Sequence, residues 1–243
     1  NNAGYFQQGF QSTGTELSSA SGAFTVTFKT PVALSTDAMK VTLQSTEHRD
    51  WAEASFSSLT YHTCTLLNSS GVKCWGLNTN GQLGDGTTTQ RNTPVTVSGL
   101  SSGVSAIAAG YSHSCAVLNS GAAKCWGLNS SGQLGDNSTT QRLTAVDVSG
   151  LSSGVSAMTA GQNNTCALLR TGAVKCWGSG GRNGDSSGTQ RLTPVDVSGL
   201  SSGVIAIASG WNHTCAVLNT GAVRCWGDAG AQSGNGGGGN TPT

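Results

Sequence analysis

The stretch HTCTLLNSSGVKCWG at 62–76 returns as HSCAVLNSGAAKCWG at 113–127, as NTCALLRTGAVKCWG at 164–178 and as HTCAVLNTGAVRCWG at 213–227. The leading cysteines Cys64, Cys115, Cys166 and Cys215 are spaced by 51, 51 and 49 residues. Self-similarity at such a period marks a unit that buries its apolar surface only by stacking on a copy of itself. Within one period GVSAIAAG, HSCAVL, AAKCWG and TAVDVSGL are short runs of Val, Ile, Ala and Thr, separated by clusters of Gly, Asn and Ser. Such runs read as strands and such clusters as turns. Four antiparallel strands per repeat is the make-up of a β-propeller blade.

The hairpin inside the quoted stretch can be placed in register from its own residues. Cys115 and Cys125 are symmetric about Ser120 in the turn Asn119-Ser120-Gly121, and Cys64 and Cys74 are symmetric about Ser69. The two cysteines of a copy therefore face each other across the ladder, where a non-hydrogen-bonded pair brings Cα atoms to about 4.5 Å, within reach of a disulfide. The repeat thus predicts the pairs Cys64–Cys74, Cys115–Cys125, Cys166–Cys176 and Cys215–Cys225. Each closes a short loop, for which chain entropy gives about 2.5 to 3 kcal/mol. The competing reading is a metal site, because His62, His113 and His213 stand two residues before a cysteine on the same strand face. Asn164 occupies that place in the third copy, and no carboxylate or fourth ligand recurs, so no metal ligand and no cofactor is expected.

Charged residues make up only 9% of the 243 and the net charge is +1, against about 25% charged in an average globular protein. No basic run offers the electrostatic footprint of a nucleic-acid partner. No apolar stretch is long enough to span a bilayer. Disulfides in every copy imply an oxidising, extracellular or cell-surface location. In that setting the Asn-x-Ser/Thr sequons at Asn68, Asn129, Asn137, Asn163 and Asn212 become candidate N-glycosylation sites carrying covalent glycans. Asn68, at a hairpin tip, and Asn137, in a polar loop, are the best placed.

The run CWGLNTNGQLGDGT at 74–87 and its copy CWGLNSSGQLGDNS at 125–138 resemble the signature of the RCC1-like repeat. The third copy, CWGSGGRNGDSSGT, keeps Trp177, Gly178, Gly184 and Asp185; the fourth, CWGDAGAQSGNGGGG, keeps Trp226 and Gly227. The resemblance covers residues 53–227 and implies an all-β fold of four-stranded blades. In it Trp75, Trp126, Trp177 and Trp226 supply blade-to-blade packing, Asn129 holds a structural position, and the Asp of each GD pair caps its own turn. The best-known members are nuclear exchange factors and chromatin binders, and others bind and inhibit enzymes. Members usually close a larger ring of blades than the four repeats present here.

Enzymatic signatures do not hold together. GLSSG recurs at 99–103, 150–154 and 199–203 and matches the nucleophile-elbow pattern, which requires a strand-to-helix turn and a histidine partner. Here it joins two predicted strands three times over, which is the behaviour of a turn. The eleven acidic residues are either in repeat turns and outer strands (Asp85, Asp136, Asp147, Asp185, Asp196, Asp228) or outside the repeats without pairing (Glu16, Asp37, Glu47, Asp50, Glu53). No catalytic residue is nominated and no enzyme is expected.

Three segments follow: 1–52, an extended β segment or assembly arm with AFTVTFKT and MKVTLQST as strands; 53–227, the four repeats, as an open or incomplete propeller; and 228–243, a glycine-rich tail. The last repeat lacks its TPVDVSGL strand. TPVALS at 30–35 resembles the outer strand TPVTVS at 93–98 and can complete the fourth blade in its own chain or in the next one. The expectation is a glycosylated, self-associating structural protein of a filament or surface appendage. A secreted module binding a protein or glycan is the alternative, and an exchange-factor-like regulator a third.

Overall fold

Each quoted stretch folds as a hairpin around a residue of positive φ, a glycine in the second, third and fourth copies and Ser70 in the first. In the second copy β6 (His113–Leu118) and β7 (Ala123–Gly127) are antiparallel, with Cys115 opposite Cys125 and Ser114 opposite Trp126. Their turn closes with the Gly121 N–H donating to the Leu118 carbonyl, at a glycine φ of +83° that residues with a Cβ rarely adopt. The computed structural model describes residues 55–58, 61–227 and 242, all within one compact unit of the chain. The segment 1–52 and the tail, and with them the strand-completion expectation for 30–35, lie outside the described residues.

The second copy is a four-stranded antiparallel sheet in the order β5 (Val104–Ala109), β6, β7, β8 (Arg142–Asp147). The first copy repeats it with β1 (Ser55–Ser58), β2 (His62–Leu66), β3 (Val72–Gly76) and β4 (Arg91–Thr96). The third does so with β9 (Val155–Ala160), β10 (Asn164–Leu169), β11 (Val174–Gly178) and β12 (Arg191–Asp196). The fourth has three described strands, β13 (Val204–Ser209), β14 (His213–Leu218) and β15 (Val223–Gly227). Outer strands begin earlier than the TAVDVSGL pattern suggested, at Arg142 and its equivalents, for a reason given below. The GLSSG segments are turns between sheets, with Gly99 and Gly103 both at a φ of +77°.

Successive side chains on a strand point to opposite faces, so the Cys-Trp pair in every CWG puts its disulfide on one face and its indole on the other. Consecutive sheets exploit this. Cys64, Val72 and Cys74 of the first sheet pack against Ala116 and Trp126 of the second. Cys115, Val117 and Cys125 of the second pack against Met158, Ala167 and Trp177 of the third. Cys166, Leu168 and Cys176 of the third meet Ala216 and Trp226 of the fourth. The cores thus lie between sheets, each made by the forward, disulfide face of one blade and the backward, tryptophan face of the next.

A polar latch recurs beside these cores. The Gln82 carbonyl accepts hydrogen bonds from Trp126 Nε1 at 2.9 Å and from the Ser114 hydroxyl at 2.9 Å, both from the following blade. Because Ser114 spends its proton on Gln82, His62 Nε2, 2.8 Å away, is the donor to Ser114 Oγ. The next interface repeats the set with Trp177, Thr165, His113 and the Gln133 carbonyl at 2.7 to 2.9 Å. Asn164 serves in the third copy by donating from Nδ2 to Thr214 Oγ1 at 3.3 Å. Histidine and asparagine alternate at this position because both extend an N–H to the neighbouring blade.

The polar loop after each CWG is held from within. Asn78 Nδ2 donates to Asp85 and to the Thr87 and Thr89 carbonyls, while Asn78 Oδ1 accepts from the Leu83 amide. Asp85 caps its own turn through Thr87 and, with its other oxygen, accepts from Arg91 Nε at 2.8 Å. The same carboxylate–guanidinium contact joins Asp136 to Arg142 and Asp185 to Arg191, and it fixes the start of each outer strand. The third copy lost the loop asparagine, and Asn183 replaces it from another direction by donating to the Gly178 and Thr189 carbonyls.

Candidate interaction site

All four predicted disulfides form, Cys64–Cys74, Cys115–Cys125, Cys166–Cys176 and Cys215–Cys225, with Cα separations of 4.0 to 4.1 Å. The cysteines are therefore spent on bridges, and the histidines beside them reach across to the next blade. Burial depresses His62 from 6.5 to about 4. Burial, aided by the nearby His62, depresses His113 to about 3. Among the described residues no three His, Cys, Asp or Glu side chains gather as a metal site. A shallow groove of about 570 Å³ between the third and fourth sheets carries Arg170 as its sole ionisable lining residue. Asp85, Asp136 and Asp185 resist ionisation through burial, but hydrogen bonds from Thr87 or Ser138 or Ser187 and from their arginines outweigh it and hold each below its ordinary value. Those arginines escaped the sequence reading; the signal was the Gln-Arg pair that recurs after each polar loop.

What distinguishes one surface from the rest is the forward face of the last sheet. Val117 and Ala123 of the second sheet are each 1% exposed beneath the third. Their equivalents on the fourth sheet open to solvent: Val217 is half-buried and Val223 is 59% exposed. Cys215, His213 and Ala208 are uncovered relative to Cys115, His113 and Ala108 in the same way. Ile205, where the second and third sheets have Ser105 and Ser156, is 62% exposed. Among the described residues β15 pairs only with β14, leaving a ladder edge of the kind proteins normally cover. Lys124 and Lys175 reach Asp147 and Asp196 on their outer strands at 2.7 Å, whereas Arg224 at the equivalent position contacts the Gly199 carbonyl.

The sequons occupy different surroundings. Asn68 and Asn137 are exposed, and Asn163 and Asn212 are half-buried before β10 and β14. Asn129 is fully buried, its Nδ2 committed to Asp136 and to the Ser138 and Thr140 carbonyls at 3.0 Å each. A glycan on that nitrogen would remove those donors and has no space, which corrects the inclusion of Asn129 among the candidate sites. Trp126, Trp177 and Trp226 are fully buried, and Trp75 on the first sheet is half-buried. Trp226 Nε1 has no hydrogen-bond partner, unlike Trp126 and Trp177.

Four-stranded antiparallel sheets packed face to face, each stapled across its central hairpin, define a protein of the β-propeller class. The Regulator of chromosome condensation (RCC1) repeat matches residues 72–117 in one form and 104–133, 155–184 and 204–231 in a second. The chain belongs to the RCC1-like repeat family. It is 36% identical over 123 residues to the human probable E3 ubiquitin-protein ligase HERC4, covering 49% of this chain and 12% of that protein. Human WBSCR16 has a similar fold, with a TM-score of 0.67 at 23% identity, over 75% of this chain and 50% of that one. Yeast RCC1 (Prp20), solved bound to Kap60, has a TM-score of 0.65 at 21% identity, over 77% and 47%. The chain therefore spans about an eighth of the curated relative and about half of the two propellers.

Proposed function

We propose that this chain is an extracellular structural protein, a glycosylated subunit of a filament or surface appendage that assembles by stacking blades. The observation that carries the reading is the forward face of the last sheet, which among the described residues has no further sheet packed on it. It repeats the Cys-Val disulfide surface that is sealed by a following blade at each earlier interface. A contact between this face and a different surface of a second copy is head-to-tail, and such contacts propagate unless the rotation closes. The edge of β15, unpaired among the described residues, adds a template for strand complementation. Disulfides in all four blades favour an oxidising compartment, and the exposed Asn68 and Asn137 sequons suit it.

Light scattering after size exclusion, with negative-stain imaging of the eluted particles, tests the reading. The native chain is expected to run as a concentration-dependent series of oligomers, and Val217→Lys with Val223→Lys to collapse it to monomer, because two charges cannot be buried under a stacked blade without partners. A chain that stays monomeric at high concentration would refute assembly and leave a binding module as the function.

A further inference from the structure

The turns joining the first to the second strand of each sheet lie at one end of the sheets and carry Tyr61, Tyr111, Gln162 and Trp211 in the four successive blades. They are tied to one another: the Tyr111 amide donates to the Gly161 carbonyl at 3.1 Å, and the Gln162 amide to the Trp211 carbonyl at 2.9 Å. Three aromatic rings from three blades therefore meet. Tyr61 and Tyr111 have ring centroids 5.5 Å apart at 73°. Tyr111 and Trp211 are 4.8 Å apart at 54°. Despite this contact Tyr61 remains 57% and Trp211 43% exposed. Large aromatics exposed together, rather than singly, mark a binding surface.

The chemistry around the rings narrows the ligand. Residues 110–112, 161–163 and 210–212, together with Tyr61, include no Asp, Glu, Lys or Arg. His62 and His113 behind them are buried. His213 is half-buried; a phosphate, sulfate or carboxylate ligand would find no lysine or arginine on these turns, and a quaternary ammonium no carboxylate. What flanks the rings is amide: Gln162, Asn163 and Asn212 are all partly accessible, but Asn163 Oδ1 accepts from Gln133 Nε2 at 3.5 Å and Asn212 Oδ1 is buried, so Gln162 is the one of the three that offers a ligand both a donor and an acceptor. Tyr and Trp faces are apolar with a polar tip. Apolar C–H faces bounded by hydroxyls that both donate and accept are the features of a pyranose ring. A proline-rich peptide also docks on aromatics, but its tertiary amides only accept hydrogen bonds, whereas sugar hydroxyls use both the donor and the acceptor of Gln162. We propose that Tyr61, Tyr111 and Trp211, with Gln162 beside them, form a platform that binds a neutral saccharide chain.

Among the described tryptophans Trp211 is the exposed one, Trp126, Trp177 and Trp226 being buried and Trp75 half-buried, so it supplies a reporter whose signal the Trp211→Phe variant isolates. Cellohexaose, maltohexaose, mannohexaose and chitohexaose are titrated into the full chain while tryptophan emission and acrylamide quenching are followed, with calorimetry on any that bind. At least one is expected to bind and to shield tryptophan from acrylamide. Trp211→Ala and Tyr61→Ala are expected to weaken it more than tenfold with unchanged melting and intact disulfides, and Trp211→Phe to keep most of the affinity while losing the emission change. No binding of any of the four would overturn the proposal. So would binding that survives both alanine variants, or a proline decapeptide that binds where the sugars do not. The site lies apart from the Val217 and Val223 surface, so the Val217→Lys, Val223→Lys variant separates the two readings: it abolishes stacking and retains sugar binding.

Discussion

The latch between blades makes stability depend on pH through His62 and His113 in a calculable way. Both are fully buried, and burial depresses them from 6.5 to about 4 and about 3 respectively. A base with a depressed folded pKa is neutral in the native state and takes up a proton on unfolding, so its penalty is absent above the unfolded value and grows as pH falls towards the folded one. Between pH 7 and pH 5 each histidine then costs about 2 kcal/mol, from 1.36 kcal/mol per pKa unit. Asp85, Asp136 and Asp185 sit below their ordinary 3.8 and remain ionised through this window. Asn164 shows that an amide can make the same inter-blade bond, so His113→Asn is expected to keep the latch and remove one titrating group. Thermal melting at pH 7, 6 and 5 checks this. The native chain is expected to lose more than the variant by about 2 kcal/mol at pH 5, or about 4 to 8 °C in melting temperature. Parallel profiles for the two proteins would refute the claim that His113 is buried neutral.

Two further outcomes follow from the packing. Gly135 has a φ of +71°, and a Cβ there would stand 2.7 Å from Trp177 Nε1, whereas at Gly150, with a φ of +73°, a Cβ meets nothing within 4 Å. Gly135→Ala is expected to cost about 2 to 4 kcal/mol through backbone strain and overpacking, and Gly150→Ala about 1 to 2 from backbone strain alone; equal denaturation midpoints would contradict the role given to the GQLG glycine. Peptide mapping without reduction is expected to return four linked pairs and no free thiol, and Cys115→Ser with Cys125→Ser to lower stability by about 2.5 to 3 kcal/mol, with crossed pairs in the map the contrary result.

Much of the fold could be read in the repeat itself. The period gave the blades, the symmetry of Cys115 and Cys125 about Ser120 gave the register, and alternation of adjacent residues assigns disulfide and indole to opposite faces. These are local matters, settled by spacing within one copy. The polar latch could not be read, because His62, Ser114, Trp126 and the Gln82 carbonyl come from two blades and only their packing brings them within bonding distance. Asn164 illustrates the limit: in the sequence it breaks a possible ligand pattern, and in the structure it makes the same bond as the histidines. Asn129 illustrates the converse, a sequon by pattern whose nitrogen is consumed by its own loop.

Tyr61, Tyr111 and Trp211 lie far apart in the chain, and although Tyr111 and Trp211 hold the same place in the repeat, their convergence depends on how three blades are rotated against one another. The sequence by itself determined the blade, its staple and its turns, since each rests on contacts made within one repeat. Only the tertiary structure decided which faces are sealed and which are open, because burial of Val117 against exposure of Val223 depends on whether another sheet lies on top.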